Sequence, residues 1–531
     1  MPAARLSGCG RVLTSHPHGP TIDTASNRSR TKGVEMSMSR RRVMELGTGS
    51  ALAAAAAACA PPNQAASNDL AELDAVETAA RIAKGELSAG EAVDAAIERA
   101  KRIDKKINAI AFKTFDRAQE EAGETQGRTG PWAGVPSFVK DLDDVVGVPT
   151  GFGSRAFPGY KGKAQTPFID SFLGLGVVSL GKSTTPEFGL TATTEPLSTG
   201  KTRNPWNTEH STGGSSGGAA ALVASGVVPV AHASDGGGSI RIPASCCGNV
   251  GLKVSRGRHR QARQELAGPI TISVHGVQSR TVRDTAAAIA ALEIGRTDAS
   301  LPDVGLVAGP SDRRLRIGYY LAGPYGRPVD PEVADLTKKV AALCESLGHQ
   351  VEEIVLPFGP GVEEAFILYW AKNAAIAIEK WEEGSGLKRN GLAFENFTLG
   401  LVEHYESHTD QFDAAVARLL ETANEFERMF ASTDVVLSPV LASPPVKLGY
   451  LDTGLSYDEH LQRVSDYAQF TGLYNIVGAP AISLPLSMSA SGLPVGAMFG
   501  AMKGDERTLL ELAYELEQAA PWSARRPPLF G

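Results

Sequence analysis

Three observations predict an α/β fold for this sequence. The tetrad Ser88-Ala89-Gly90-Glu91 is a capping box opening a helical pattern. Short apolar runs at 135–139 and 177–180 have strand length. Arg316-Ile317-Gly318-Tyr319-Tyr320 begins a strand–helix–strand unit, with its helix over Pro331 to Leu347 and its second strand over Val351 to Leu356.

The remaining elements follow in chain order. Residues 71–119 are helical by pattern, and the helix capped at Ser88 runs to about Ile103 with Val93, Ile97 and Ala100 on one face. Val135 to Val139 reads as a short buried strand, as does Val177 to Leu180. A helix after Ser216 carries Ala219 to Ala224. Residues 361–430 are mostly helical and hold Phe366, Tyr369, Trp370 and Phe397, either as plain packing or as the cover of a pocket. Asp434 to Pro439 reads as a returning strand, and no internal repeat is found. With 42% hydrophobic and 21% charged residues, the chain has ample material for a core. A net charge of −7 argues against nucleic-acid binding, which needs a basic patch.

Two serine clusters carry the chemistry: Gly213-Gly214-Ser215-Ser216-Gly217-Gly218 and Asp235-Gly236-Gly237-Gly238-Ser239-Ile240-Arg241. Each sets a hydroxyl among residues without side chains, where backbone N–H groups can approach a substrate. Three glycines running into a serine can form a concave row of donors for a developing oxyanion. A flexible linker would look similar in composition. The apolar run from Ala219 to Val230 between the clusters does not fit one.

The stretch from Gly134 to Lys253 resembles the amidase signature family of serine amidohydrolases. The resemblance rests on Gly134-Val135-Pro136-Ser137-Phe138-Val139-Lys140-Asp141, Arg203-Asn204-Pro205-Trp206, both serine clusters, and Cys247-Gly248-Asn249-Val250-Gly251-Leu252-Lys253. It continues into Asn475 to Ala481 and Gly492-Leu493-Pro494. Thr193 to Pro196, Ala231-His232 and Pro521 to Pro527 are similar to the 6-aminohexanoate-cyclic-dimer hydrolase-like members. The resemblance implies one α/β/α domain with a mixed central sheet, over residues 67–531. It implies Ser239 as nucleophile, Ser215 as bridging serine in a cis peptide, and Lys140 as base. The implied oxyanion donors are the N–H groups of Gly236, Gly237, Gly238 and Ser239, and no cofactor is implied. The sequence departs from the family at Val254, where proline is usual, and at Ser234-Asp235-Gly236 in place of Thr-Asp-Thr.

These residue types suit the chemistry. A serine hydroxyl needs a base to take its proton, and a lysine is a base only when burial keeps it neutral. A second serine can both donate and accept, and so relay a proton. Asp235 and Arg241 flank the nucleophile, as support for the glycine loop or as substrate contacts. Ser216 either hydrogen-bonds near the oxyanion loop or makes a local backbone contact. The expected reaction is hydrolysis of small linear or cyclic amides, anilides or esters. An exported, non-catalytic small-molecule binder is the alternative of another class. A tRNA-dependent role, known in the family, is disfavoured by the export signal and the acidic charge.

Other motifs compete. Gly176 to Ser183 satisfies the P-loop pattern, but Val177 to Leu180 reads as a strand and Pro186 follows closely. Gly213 to Gly217 fits a nucleophile elbow, yet the preceding segment is polar and no acid–histidine pair follows in pattern. Ser137-Phe138-Val139-Lys140 matches the Ser-x-x-Lys of penicillin-binding proteins and β-lactamases, which would make Ser137 the nucleophile. Metal-ligand spacing is absent: His210 and His232 read as packing or surface residues.

Residues 1–66 read as a leader. Ser39-Arg40-Arg41-Arg42-Val43-Met44-Glu45-Leu46 predicts a twin-arginine export signal and a periplasmic protein, or a cytoplasmic one if the leader is inactive. Met36 and Met38 are alternative starts, and Cys59 allows a lipid anchor. The apolar segment behind the arginines is too short for a membrane span. Cys246, Cys247 and Cys344 give no disulfide framework. A homodimer is compatible with the sequence.

Overall fold

A central sheet of eight strands runs in the order β10-β9-β11-β13-β12-β7-β8-β6. The structure is a computed structural model describing residues 69–124, 129–260 and 269–531. The expected leader, its export signal and Cys59 lie outside the described residues. Strand β9 (Arg316–Tyr319) pairs in parallel with β10 (Gln350–Glu353) and with β11 (Val435–Pro439). Strands β13 (Pro494–Gly500), β12 (Ala481–Met488), β7 (Val250–Lys253), β8 (Val274–Ser279) and β6 (Val230–Asp235) continue it antiparallel. The sheet is mixed, as the resemblance implies.

Alternation along the strands explains why helices cover both faces. Val435, Leu437, Ala497, Phe499, Ile482 and Leu484 enter one core. There they meet α7 (Val282–Leu292), α8 (Pro331–Ser346) and α14 (Glu506–Ala519). Val436, Met498 and Ala481 point the other way. On that side lie α6 (Arg241–Cys247), α11 (Phe412–Met429), α12 (Tyr457–Tyr467) and α13 (Gly472–Val477). Cys246, Cys247 and Cys344 are free and buried.

A second sheet, β1-β3-β2, carries the front of the molecule. Strand β1 (Ile110–Lys113) pairs antiparallel with β3 (Val178–Ser183), and β2 (Pro136–Lys140) pairs with β3 in parallel. Behind it lies α2 (Ala89–Ile107), opened by the predicted capping box. It runs past the expected Ile103, because buried Ile107 extends the apolar stripe and Asn108 caps the end in the left-handed region. Strand β3 runs through Gly181 to Ser183, which places Lys182 inside a strand and ends the P-loop reading. The expected β9–α8–β10 unit is present. Residues 361–430 form α9 (Val362–Ser385), α10 (Asn396–Ser407) and α11. No helix of the described residues is long and apolar enough to cross a membrane.

Candidate active site

Lys140 ends β2 with no exposed surface. Its backbone N–H donates to His232 Nδ1 at 3.2 Å, across to the edge strand β6. Its Nζ lies 2.7 Å from Ser215 Oγ and donates to Ser234 Oγ at 3.1 Å and Ser234 O at 3.4 Å. Burial pulls the amine down to about 7, with Asp143 and Asp235 opposing the shift. A strand puts residues three apart on opposite faces, so Ser137 turns away and donates to Val230 O at 2.9 Å. This corrects the Ser-x-x-Lys alternative, which needs Ser137 and Lys140 on one helical face.

Ser215 sits on the loop between β5 (Asn207–Ser211) and α5 (Gly217–Ala224), after a cis Gly214–Ser215 peptide. The loop threads a tight channel: a Cβ at Gly214 would lie 2.6 Å from Thr193 O. Ser216 makes backbone contacts. Its Oγ donates to Ser234 O at 3.2 Å, and its N–H donates to Ser239 O at 3.3 Å. The two serine loops are thereby tied together.

Ser239 stands between β6 and α6 on the glycine loop. Asp235, at the end of β6, organises that loop. Its carboxylate accepts from the N–H groups of Gly238 (2.8 Å) and Ile240 (3.1 Å), and from Arg241 Nε (3.0 Å) and Nη2 (2.9 Å). Burial pushes this carboxyl up, but Arg241 outweighs it and holds it well below the usual carboxylate range. Arg241 also donates to Asn475 Oδ1 at 2.7 Å. Both charges are fully buried and support the loop. The Gly238 N–H differs from expectation: it is spent on Asp235, which leaves Gly236, Gly237 and Ser239 for an oxyanion. Gly238 itself, at φ +135°, has no room for a side chain beside Thr471.

Spacing in the sequence gave no sign of the group behind Lys140. His232 and His275 lie ring edge to ring edge, 11° from coplanar, with Nε2 and Nδ1 3.1 Å apart. Asp143 Oδ2 lies 4.0 Å and 3.9 Å from those nitrogens. Burial holds His232 at about 3 and lowers His275 as well, favouring the uncharged ring in both. Because His232 Nδ1 accepts from Lys140, its Nε2 carries the proton and donates to His275. Ligand atoms of the three residues lie within 4.8 Å of one another, a grouping that spacing in the sequence did not show. Here the two ring nitrogens are satisfied by each other.

Two cavities meet at Ser239. One of about 110 Å³ is lined by Gly214, Gly237, Ile242, Phe366, Phe397 and Leu401. The other, about 630 Å³, is lined by Ser215, Gly236, Asp143, His275 and the aromatic rings of Phe152, Phe157, Tyr160, Phe188 and Trp381. Gly189, Leu190 and Trp370 belong to both, and Trp370 Nε1 donates to Leu190 O at 3.1 Å. Trp370 therefore lines both cavities and Phe397 the small one, so these residues of the helical segment face the site as well as packing.

This fold and site define an amide-cleaving enzyme. Residues 91–510 match the amidase family, and the chain belongs to it. A protein named as an amidase, AmiC of Mycobacterium tuberculosis (strain ATCC 25618 / H37Rv), is 42% identical over 460 residues, covering 86% of this chain and 97% of that protein. The 6-aminohexanoate-cyclic-dimer hydrolase of Paenarthrobacter ureafaciens is 34% identical, covering 86% of this chain and 96% of that one. A solved structure of 6-aminohexanoate cyclic dimer hydrolase complexed with substrate matches with TM-score 0.76 and 32% identity, over 87% of this chain and 100% of that chain. These relatives favour the enzyme over the non-catalytic binder.

Proposed function

We propose that the protein hydrolyses small linear or cyclic carboxylic amides, with anilides and esters in range, through an acyl-enzyme on Ser239. The observation that carries this reading is the buried Lys140 amine, 2.7 Å from Ser215 Oγ and brought down to about 7. A neutral amine at that place takes a proton from Ser215 as Ser215 takes one from Ser239. Ser215 Oγ is held by Lys140 in this structure, and the relay requires Ser239 Oγ to come within hydrogen-bond distance of it when substrate is bound. Ser239 Oγ adds to the carbonyl carbon, and the N–H groups of Gly236, Gly237 and Ser239 receive the oxyanion. The amine leaves with the relayed proton, and water releases the acid by the reverse path. The reaction balances without a cofactor.

The test pairs a substitution with a label. Lys140→Met should lower kcat/KM by about 10³-fold or more, and a fluorophosphonate probe should label Ser239 in the native enzyme. Label on Ser137, or amide cleavage surviving Lys140→Met, overturns the proposal.

A further inference from the structure

We propose that the two cavities meeting at Ser239 hold opposite halves of the substrate: an apolar acyl group in the small one, an amine carrying an aromatic ring in the large one. The inference rests on the Ser239–Ser215–Lys140 reading and deepens it. When Ser239 Oγ bonds to the carbonyl carbon and the C–N bond breaks, the electron pair stays on nitrogen. That nitrogen takes the proton of Ser215 Oγ, and Ser215 is reprotonated from Lys140 Nζ. Proton delivery needs about 2.6–3.2 Å between heavy atoms, so the departing nitrogen must lie on the side where Ser215 is reachable.

Ser215 lines the large cavity and not the small one, where the same loop contributes only Gly214. The carbonyl oxygen points at the glycine loop, whose Gly236 and Gly237 face the large and small cavities respectively. The acyl substituent is then directed into the small cavity, whose walls are mostly apolar, with Ile242, Phe366, Phe397 and Leu401 among them beside the polar Glu363 and Gln469. A space of about 110 Å³ with such walls fits a short hydrocarbon chain. In the large cavity Phe152, Phe157 and Phe188 meet edge to face at 4.8 Å and 5.9 Å between centroids. Such a surface takes up a flat ring. Trp370, hydrogen-bonded to Leu190, is the partition between the two spaces.

Two isomers separate the halves at equal size and similar intrinsic reactivity: N-benzylbutyramide, with the ring on the amine, and N-propyl-2-phenylacetamide, with the ring on the acyl group. The native enzyme should prefer the first by about tenfold or more in kcat/KM, the range of a pocket mismatch. Ala468→Phe narrows the small cavity and should lower kcat/KM in step with acyl length. Ala377→Trp narrows the large one and should lower it in step with amine size. Fluorophosphonate labelling of Ser239 in each variant reports an intact site. With Ser239 labelled, preference for the second isomer, equal rates, turnover of neither, or an exchange of the two variants' effects overturns the assignment of halves. Absence of label on native Ser239 overturns the reading beneath it.

Discussion

At the residue scale, burial gives Lys140 the uncharged amine that the proposed reaction uses as a base. Its amine is depressed because the ammonium has no water around it, so the uncharged form gains population as pH rises through about 7. A profile of kcat/KM against pH should therefore show a rising limb with midpoint near 7. A flat profile from pH 5 to 9 counts against Lys140 as the base. Asp235 does the opposite work, holding a negative charge in place. Removing it by Asp235→Ala strands the Arg241 guanidinium without its main partner in a fully buried site. A loss of about 3–5 kcal/mol on chemical denaturation is expected, and a loss under 1 kcal/mol would show that the pair is dispensable. Ser239 and Ser215 were legible in the sequence because glycines beside them record tight backbone requirements. The fate of the Gly238 N–H was not, since it depends on which way the Asp235 side chain turns.

At the element scale, two buried carboxyls tie the helices of residues 361–430 to the segment 187–197 that passes beside Ser215. Glu395, at the start of α10, donates its backbone N–H to Glu187 Oε2 at 2.8 Å and accepts from Leu197 N at 2.7 Å. Glu187 lies two residues before Gly189, where an added Cβ would come within 3.0 Å of Ser215 Oγ. Burial, and then each other's charge in the case of Glu395, raises both carboxyls above the usual glutamate range. A raised acid contributes stability that is full below its unfolded pKa and lost as pH rises through the folded one. Glu395→Gln keeps an oxygen for Leu197 and removes the charge. It should raise Tm by about 2 °C or more at pH 9, with a smaller effect at pH 5. An unchanged or lower Tm at pH 9 would contradict this. The element boundaries read from sequence came close where local signals set them, as at the Ser88 cap and in β9–α8–β10. They fell short where pairing decides: β3 runs on through Gly181 because β1 and β2 both bond to it.

At the scale of the whole molecule, the proposed reacting groups and the walls around them come from different parts of the chain. Lys140, Ser215 and Ser239 lie within one hundred positions of sequence, the first at the end of a strand and the two serines on loops that lead from a strand into a helix. This nearness is why the three could be picked out in the sequence as one candidate site. The partners of His232, and the rings of the large cavity, are brought in by folding from segments with no shared spacing, so no pattern announced them. One helix, α9, spans both chambers: Phe366 and Ile367 face the small one, Asn373, Ala377 and Lys380 the large one, and Trp370 divides them. On the proposed reading, a few turns of this single rod touch both ends of the substrate, beside the aromatic and aliphatic walls that other segments supply. Redesign for a new amide can begin by exchanging that rod's inward residues, leaving the chemical engine beneath untouched.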